Sequence, residues 1–242
     1  MKKDKTLLPQ PVRSDSLSNQ LYGILKDAIF AGKFQPGEAL RELHVAKTMD
    51  VSQATVREAL NQLEQAGLVV RTPNRGTTVT CFSRNEVRDR LAMRIALEDL
   101  AFCKAAGNLS AEDFQELERL SAAIEQGIRD KSCHDMTLAD MRFHRLVWQK
   151  ADSPVMLRTL DQLTTPLFAF LSVLHGSGLH NLHDAKPHGD LIQALRQAKP
   201  GAIRAAIRDH IAGSYREFLD SGTPSLDQLL QKPEGLAAMR KG

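Results

Sequence analysis

At 242 residues, with 42% hydrophobic and 25% charged side chains, the chain has enough apolar mass for one large or two modest globular domains, which excludes a disordered or low-complexity protein. A net charge of +3 is too small to establish a nucleic-acid partner by itself, so the placement of the charges has to carry that question. Cys81, Cys103 and Cys133 are widely spaced and form no CxxC pair, which reads as free thiols in a reducing compartment. The opening MKKDKTLLPQP lacks the apolar core of a signal peptide, and the longest apolar run, near Leu167 to Leu174, is too short to span a bilayer. A soluble cytoplasmic protein with no membrane partner is expected.

Residues 1–14 are polar, contain Pro9 and Pro11, and show no periodicity; a flexible basic arm is expected there. Ser16 or Ser18 then caps a helix on whose face Leu17, Leu21, Ile24, Leu25, Ala28 and Ile29 fall. Gly32 ends it, Pro36-Gly37 makes a turn, and Leu40 to Met49 reads as a second, short helix. Ser52 caps a third, in which Val56, Leu60 and Leu63 share one face while Gln53, Thr55, Arg57, Asn61 and Gln62 occupy the other. Gly67 stops this helix, and the β-rich stretches Val69 to Thr72 and Thr77 to Thr80 flank a Pro-Asn-Arg-Gly turn, the pattern of a hairpin. Helix, turn, helix, turn, helix and hairpin is the order of a winged helix-turn-helix, expected over residues 15–81. Its third helix has the shape and polar face that a major groove accepts, and Arg71, Arg75 and the backbone at Gly76 on the wing are placed to reach phosphates or a minor groove.

Ser83-Arg84-Asn85-Glu86 is a capping box that opens an all-helical region, expected over residues 84–221. Helices are expected near Glu86 to Ala106, from Ser110 through Ile128, over Met136 to Lys150, and from Pro154 on, with Pro166 kinking the last of these. His175 to His188 reads as a loop rich in glycine and histidine. Two more helices are expected, near Gly189 to Gln197 and Gly201 to Asp220, then a flexible tail over residues 222–242. The fold class is therefore mainly α: three helices with a β-hairpin wing, followed by an all-α bundle.

With both halves laid out, the sequence resembles the GntR superfamily of transcription regulators, in the FadR-type branch that carries an FCD effector domain. The resemblance rests on PGEALRE, VREAL, LEQAGLV and the wing's RG across residues 17 to 80, and on the helical half across about 84 to 220. It implies that Arg41, Thr55, Arg57 and Gly76 take DNA-contact positions, with Ser52, Gln53, Arg71 and Arg75 beside them. One departure stands out: the family has Ser-Arg where this chain has Ser52-Gln53. Arginine favours guanine and glutamine favours adenine, so an altered operator is expected.

The same resemblance implies a metal set of Asp-x3-His on one helix and single histidines on two others, matched here by Asp140, His144, His188 and His210. Asp140 and His144, four residues apart, share a helix face. Three imidazoles and a carboxylate suit a divalent transition metal, zinc or nickel. Arg94, in RIALE, is placed either to pair with a carboxylate effector or to form an interhelical salt bridge. Arg88 and Arg90 read as solvated. His44, His134, His175, His180 and His183 match no metal position.

These features imply a homodimeric regulator, expected to be a repressor and not an enzyme, that binds pseudo-palindromic double-stranded DNA under control of a small organic acid. Two other readings remain open at this point: a regulator whose histidines contact the effector without metal, and a metal-dependent hydrolase using the same four residues.

Overall fold

Ser16 accepts the amide of Asn19 and so starts α1 (Leu17–Phe30), whose buried face is Leu21, Leu25, Ile29 and Phe30. This is a computed structural model, and it describes residues 16–73, 76–176 and 188–215; the expected arm and tail lie outside them. Asp50, in the left-handed region, closes α2 (Glu42–Met49) and turns the chain into α3 (Gln53–Gln65), capped by Ser52 as the sequence predicts. Val56, Ala59, Leu60 and Leu63 of α3 are almost wholly buried, and α1 packs against that face. The hairpin of β1 (Val69–Thr72) and β2 (Gly76–Val79) is antiparallel, with Val69 opposite Val79 and Thr72 opposite Gly76. Ala39 bridges to Thr78, which ties the wing's second strand to the chain entering α2.

The second half contains α4 (Arg84–Ala105), α5 (Ala111–Arg129), α6 (Cys133–Lys150), α7 (Pro154–Gly176), α8 (Gly189–Gln197) and α9 (Pro200–Ser214). The capping boxes Ser83/Glu86 and Ser110/Asp113 fix the starts of α4 and α5. Helix α6 begins three residues earlier than the apolar pattern predicts, because Ser132 accepts the amide of Asp135 and recruits the polar Cys133-His134-Asp135 turn. Helix α7 continues through Pro166 to Gly176, so the expected loop begins later than His175. Proline removes one amide donor from the α7 ladder. In the same turn Arg90 Nη1 donates to the Leu163 carbonyl at 2.9 Å, and its guanidinium lies over the Phe82 ring. Arg90 is therefore not the solvated residue the sequence suggests. Its partner sits 73 positions away, beyond the reach of local pattern.

Helix α7 is also where the two halves meet. Ile29, Pro36, Leu68 and Val79 of the first half line a crevice with Pro166, Ala169, Phe170 and Val173 of α7. Ser172 Oγ donates to the Phe30 carbonyl at 2.9 Å. Gly67 has φ +73°, and a Cβ there would meet Pro166 Cγ at 3.2 Å, so both backbone angle and space favour glycine.

Candidate metal centre and nucleic-acid interface

In the first half, the polar face of α3 is exposed alongside the wing. Ser52, Gln53 and Arg57 are exposed and Thr55 half-buried, while Arg41, also exposed, stands at the start of α2. The arginines are not independent. Glu42 holds Arg57 Nη2 and Arg71 Nη2, each at 3.1 Å, and Arg71 Nη1 donates to Asn61 Oδ1 at 2.6 Å. Glu42 thus links α2, α3 and β1 into one charged face. Gln62, read from sequence as part of that face, instead donates to Asn19 Oδ1 of α1 at 2.9 Å. Gly76 opens β2 and is exposed; Arg75 lies outside the described residues.

In the second half, α6 contributes Asp140 and His144, His188 caps α8, and His210 comes from α9. One donor atom from each lies within 4.8 Å of every other. His144, His188 and His210 are buried, and Phe143 packs edge-on to His188 at a centroid distance of 4.5 Å. His188 Nε2 is 2.8 Å from Asp140 Oδ1, and His144 Nε2 is 3.3 Å from the same oxygen. His144 Nε2 and His210 Nδ1 are buried with no hydrogen-bond partner among the described residues. Four convergent donors, two of them carrying buried nitrogens without hydrogen-bond partners, fit a divalent transition metal.

The electrostatics suit the same purpose. Burial would raise the Asp140 carboxyl, but the close imidazoles of His144 and His188 outweigh it and hold the group well below the usual carboxylate range. Burial keeps His188 below the ordinary histidine value despite Asp140. His210 is pushed further down, by burial first and then by His188 and His144. Neutral imidazoles and an ionised carboxylate are the forms that ligate metal, and His188, His210 and Asp140 are held in them; His144 is raised, because Glu98 outweighs its burial.

Arg94 adjoins this centre. It is 1% exposed, and its guanidinium lies 4.7 Å over the Phe168 ring of α7. Arg94 Nε donates to Glu98 Oε1 at 2.6 Å, so the salt bridge, one of the two readings the sequence left open for Arg94, lies within α4 and not between helices. Nη1 is 3.4 Å from the Tyr215 hydroxyl, and Nη2 is buried without a hydrogen-bond partner among the described residues. Burial raises the Tyr215 hydroxyl to about 12, so it stays protonated. The other carboxylate oxygen of Glu98 is 2.7 Å from His144 Nδ1.

Residues 17–79 match the profile of bacterial regulatory proteins of the gntR family, and residues 89–213 match the FCD domain, over half of the chain. The chain belongs to the GntR family and carries an FCD domain. Among the relatives of this GntR-family regulator, the transcriptional repressor RspR of Escherichia coli is 29% identical over 81% of this chain and 86% of its own. The uncharacterised regulator YdhC of Bacillus subtilis is 26% identical, over 79% and 86%. The solved structure of E. coli McbR/YncC shares the fold at a TM-score of 0.68 with 21% identity, covering 84% of this chain and 97% of that one. Families and relatives alike are transcription regulators, so this one binds DNA and is not an enzyme. Among the described residues no helix is long and apolar enough to cross a membrane.

Sequence reading missed two residues of this GntR-family protein, Glu42 and Glu98. Glu98 left a usable signal. It stands four residues after Arg94, and a carboxylate at that spacing on an otherwise apolar helix face is expensive to bury unless paired. His180 and His183 lie outside the described residues.

Proposed function

We propose that this protein is an operator-binding repressor whose FCD domain senses a small organic acid at a metal centre formed by Asp140, His144, His188 and His210. The observation that carries the reading is the convergence of four metal donors beside Arg94, a buried arginine whose Nη2 has no hydrogen-bond partner among the described residues. A metal such as zinc or nickel would act there as a Lewis acid for an effector oxygen. Arg94 would take the effector's carboxylate through Nη2, and Phe168 keeps water from the guanidinium's face. In the metal-free alternative the effector itself would meet His210 Nδ1 and, beside Asp140, His144 Nε2. Among the described residues the nearest further carboxylate, Glu98, is engaged by His144 and Arg94, which does not favour a hydrolase.

The two units would be a DNA-reading head over residues 15–81 and an effector domain over 84–221, in keeping with the matched spans. Arg41, Ser52, Gln53, Thr55, Arg57, Arg71, Arg75 and Gly76 would form the DNA surface, with Gln53 reading adenine. Met93 and Leu100 on α4 are about half exposed, 49% and 52%, and lie seven residues apart on one helix face. A second copy would cover it, giving a homodimer that reads a pseudo-palindromic site. RspR, a repressor by name, supports the direction of regulation.

A thermal-shift screen of zinc-loaded protein against small organic acids tests the effector site. A ligand at 100 times its Kd adds about 2.7 kcal/mol. The expected result is a stabilising acid whose effect shrinks at least about tenfold in affinity in Arg94→Lys, which keeps the charge and loses the planar fork. Undiminished stabilisation in that variant would overturn the role of Arg94.

A further inference from the structure

Resting on that reading of the centre, we infer that Glu98 is the positioning residue that aims both the metal ligand His144 and the anion-binding Arg94. Its two carboxylate oxygens are divided between them: Oε2 is 2.7 Å from His144 Nδ1, and Oε1 accepts Arg94 Nε at 2.6 Å. All three side chains are buried to 1% exposure or less. A carboxylate that accepts the Nδ1 proton of an imidazole fixes the tautomer that leaves the Nε2 lone pair for a metal. His144 Nε2 is the nitrogen that faces Asp140, at 3.3 Å. On the other side, engaging Nε alone sets the plane of the Arg94 guanidinium while Nη2 has no hydrogen-bond partner among the described residues. One side chain on α4 therefore orients a donor on α6 and a cation on its own helix. A change at either site is felt at the other through a single rigid group.

A carboxylate that merely neutralises buried Arg94 would require charge but not reach, and two variants separate the roles. Glu98→Asp retains the charge on a stem one methylene shorter, which cannot contact both partners at the present distances. Glu98→Gln retains the length and loses the charge. Zinc affinity is measured by chelator competition and followed by the emission of Trp148, the only tryptophan, whose ring centroid is 6.2 Å from His144. The expected result is that both variants bind zinc about 10- to 100-fold more weakly than wild type. Zinc-loaded Glu98→Asp should also bind acetate, the carboxylate probe, more weakly than zinc-loaded wild type. Wild-type zinc and acetate affinities in Glu98→Asp would leave only a neutralising role and overturn the inference.

Should both variants unfold, the zinc-loaded wild type decides by histidine 15N resonances, with His144 assigned by its loss in His144→Gln. A protonated Nδ1 with a metal-shifted Nε2 supports the positioning role, and metal on Nδ1 overturns it. Wild-type protein that takes up neither zinc nor nickel overturns the metal-centre reading itself. Zinc uptake unchanged by either substitution overturns only the assignment of Glu98.

Discussion

At the scale of single residues, the centre is governed by which imidazoles resist protonation. His188 and His210 sit below the ordinary histidine value because burial disfavours their charged forms. His144 is the exception: burial lowers it, but Glu98 more than restores it and leaves it raised. The two depressed groups bind fewer protons folded than unfolded, so the stability they allow is present above about pH 6.5 and falls as pH drops through that value. His144 has the opposite sign, its contribution being present below about pH 6.5 and lost as pH rises through its folded pKa. With two groups against one, the melting temperature of chelator-stripped protein should fall between pH 7 and 5.5. A melting temperature that rises on acidification would show that the Glu98–His144 pair dominates. Asp140, His144, His188 and His210 were legible through the family resemblance, whose Asp-x3-His and single-histidine pattern they match, and the structure brings the four together. The bonds of Glu98 and Arg90 were not legible, since their partners across the fold lie 46 and 73 residues away.

At the scale of elements, the caps and apolar stripes of the first half were readable because each signal is local: Ser16 and Ser52 cap where expected, and the hairpin forms where β-rich stretches flank Gly76. Helix α4 was harder to read, since it buries Arg94 and Glu98 and exposes Met93 and Leu100, inverting the usual division. The packing of α5 on α6 also follows from one position that no periodicity marks. At Gly127 a Cβ would lie 2.8 Å from both the backbone nitrogen and the Cβ of Met136. Two helices this close cannot take a methyl group without moving apart, and α6 carries Asp140 and His144. Gly127→Ala should therefore destabilise the protein by about 1–3 kcal/mol, against the small gain that alanine brings to an open helix site. Denaturant unfolding checks this, and a stabilised variant would contradict the close packing.

At the scale of the whole molecule, α7 touches both ends of the proposed response. Phe168 lies against the Arg94 guanidinium, while Pro166, Ala169, Phe170 and Val173 line the crevice shared with the DNA-reading half. An effector that pulls on Arg94 would shift Phe168 and, through α7, the seat of the head; this is a coupling between two sites. Phe168→Leu should bind zinc and operator normally while losing most of the effector's influence on DNA affinity. Fluorescence anisotropy on operator DNA, with and without effector, measures that loss, and an undiminished response would remove α7 from the route. All of this depends on whether Asp140, His144, His188 and His210 hold a metal. The most direct test is titration of zinc into tag-free, chelator-stripped protein, with His144→Ala alongside. The account predicts about one zinc per chain in the wild type and loss of that tight uptake in the variant, as four convergent donors require. Wild-type protein that takes up no zinc or nickel, or a variant that binds as well as wild type, would contradict it.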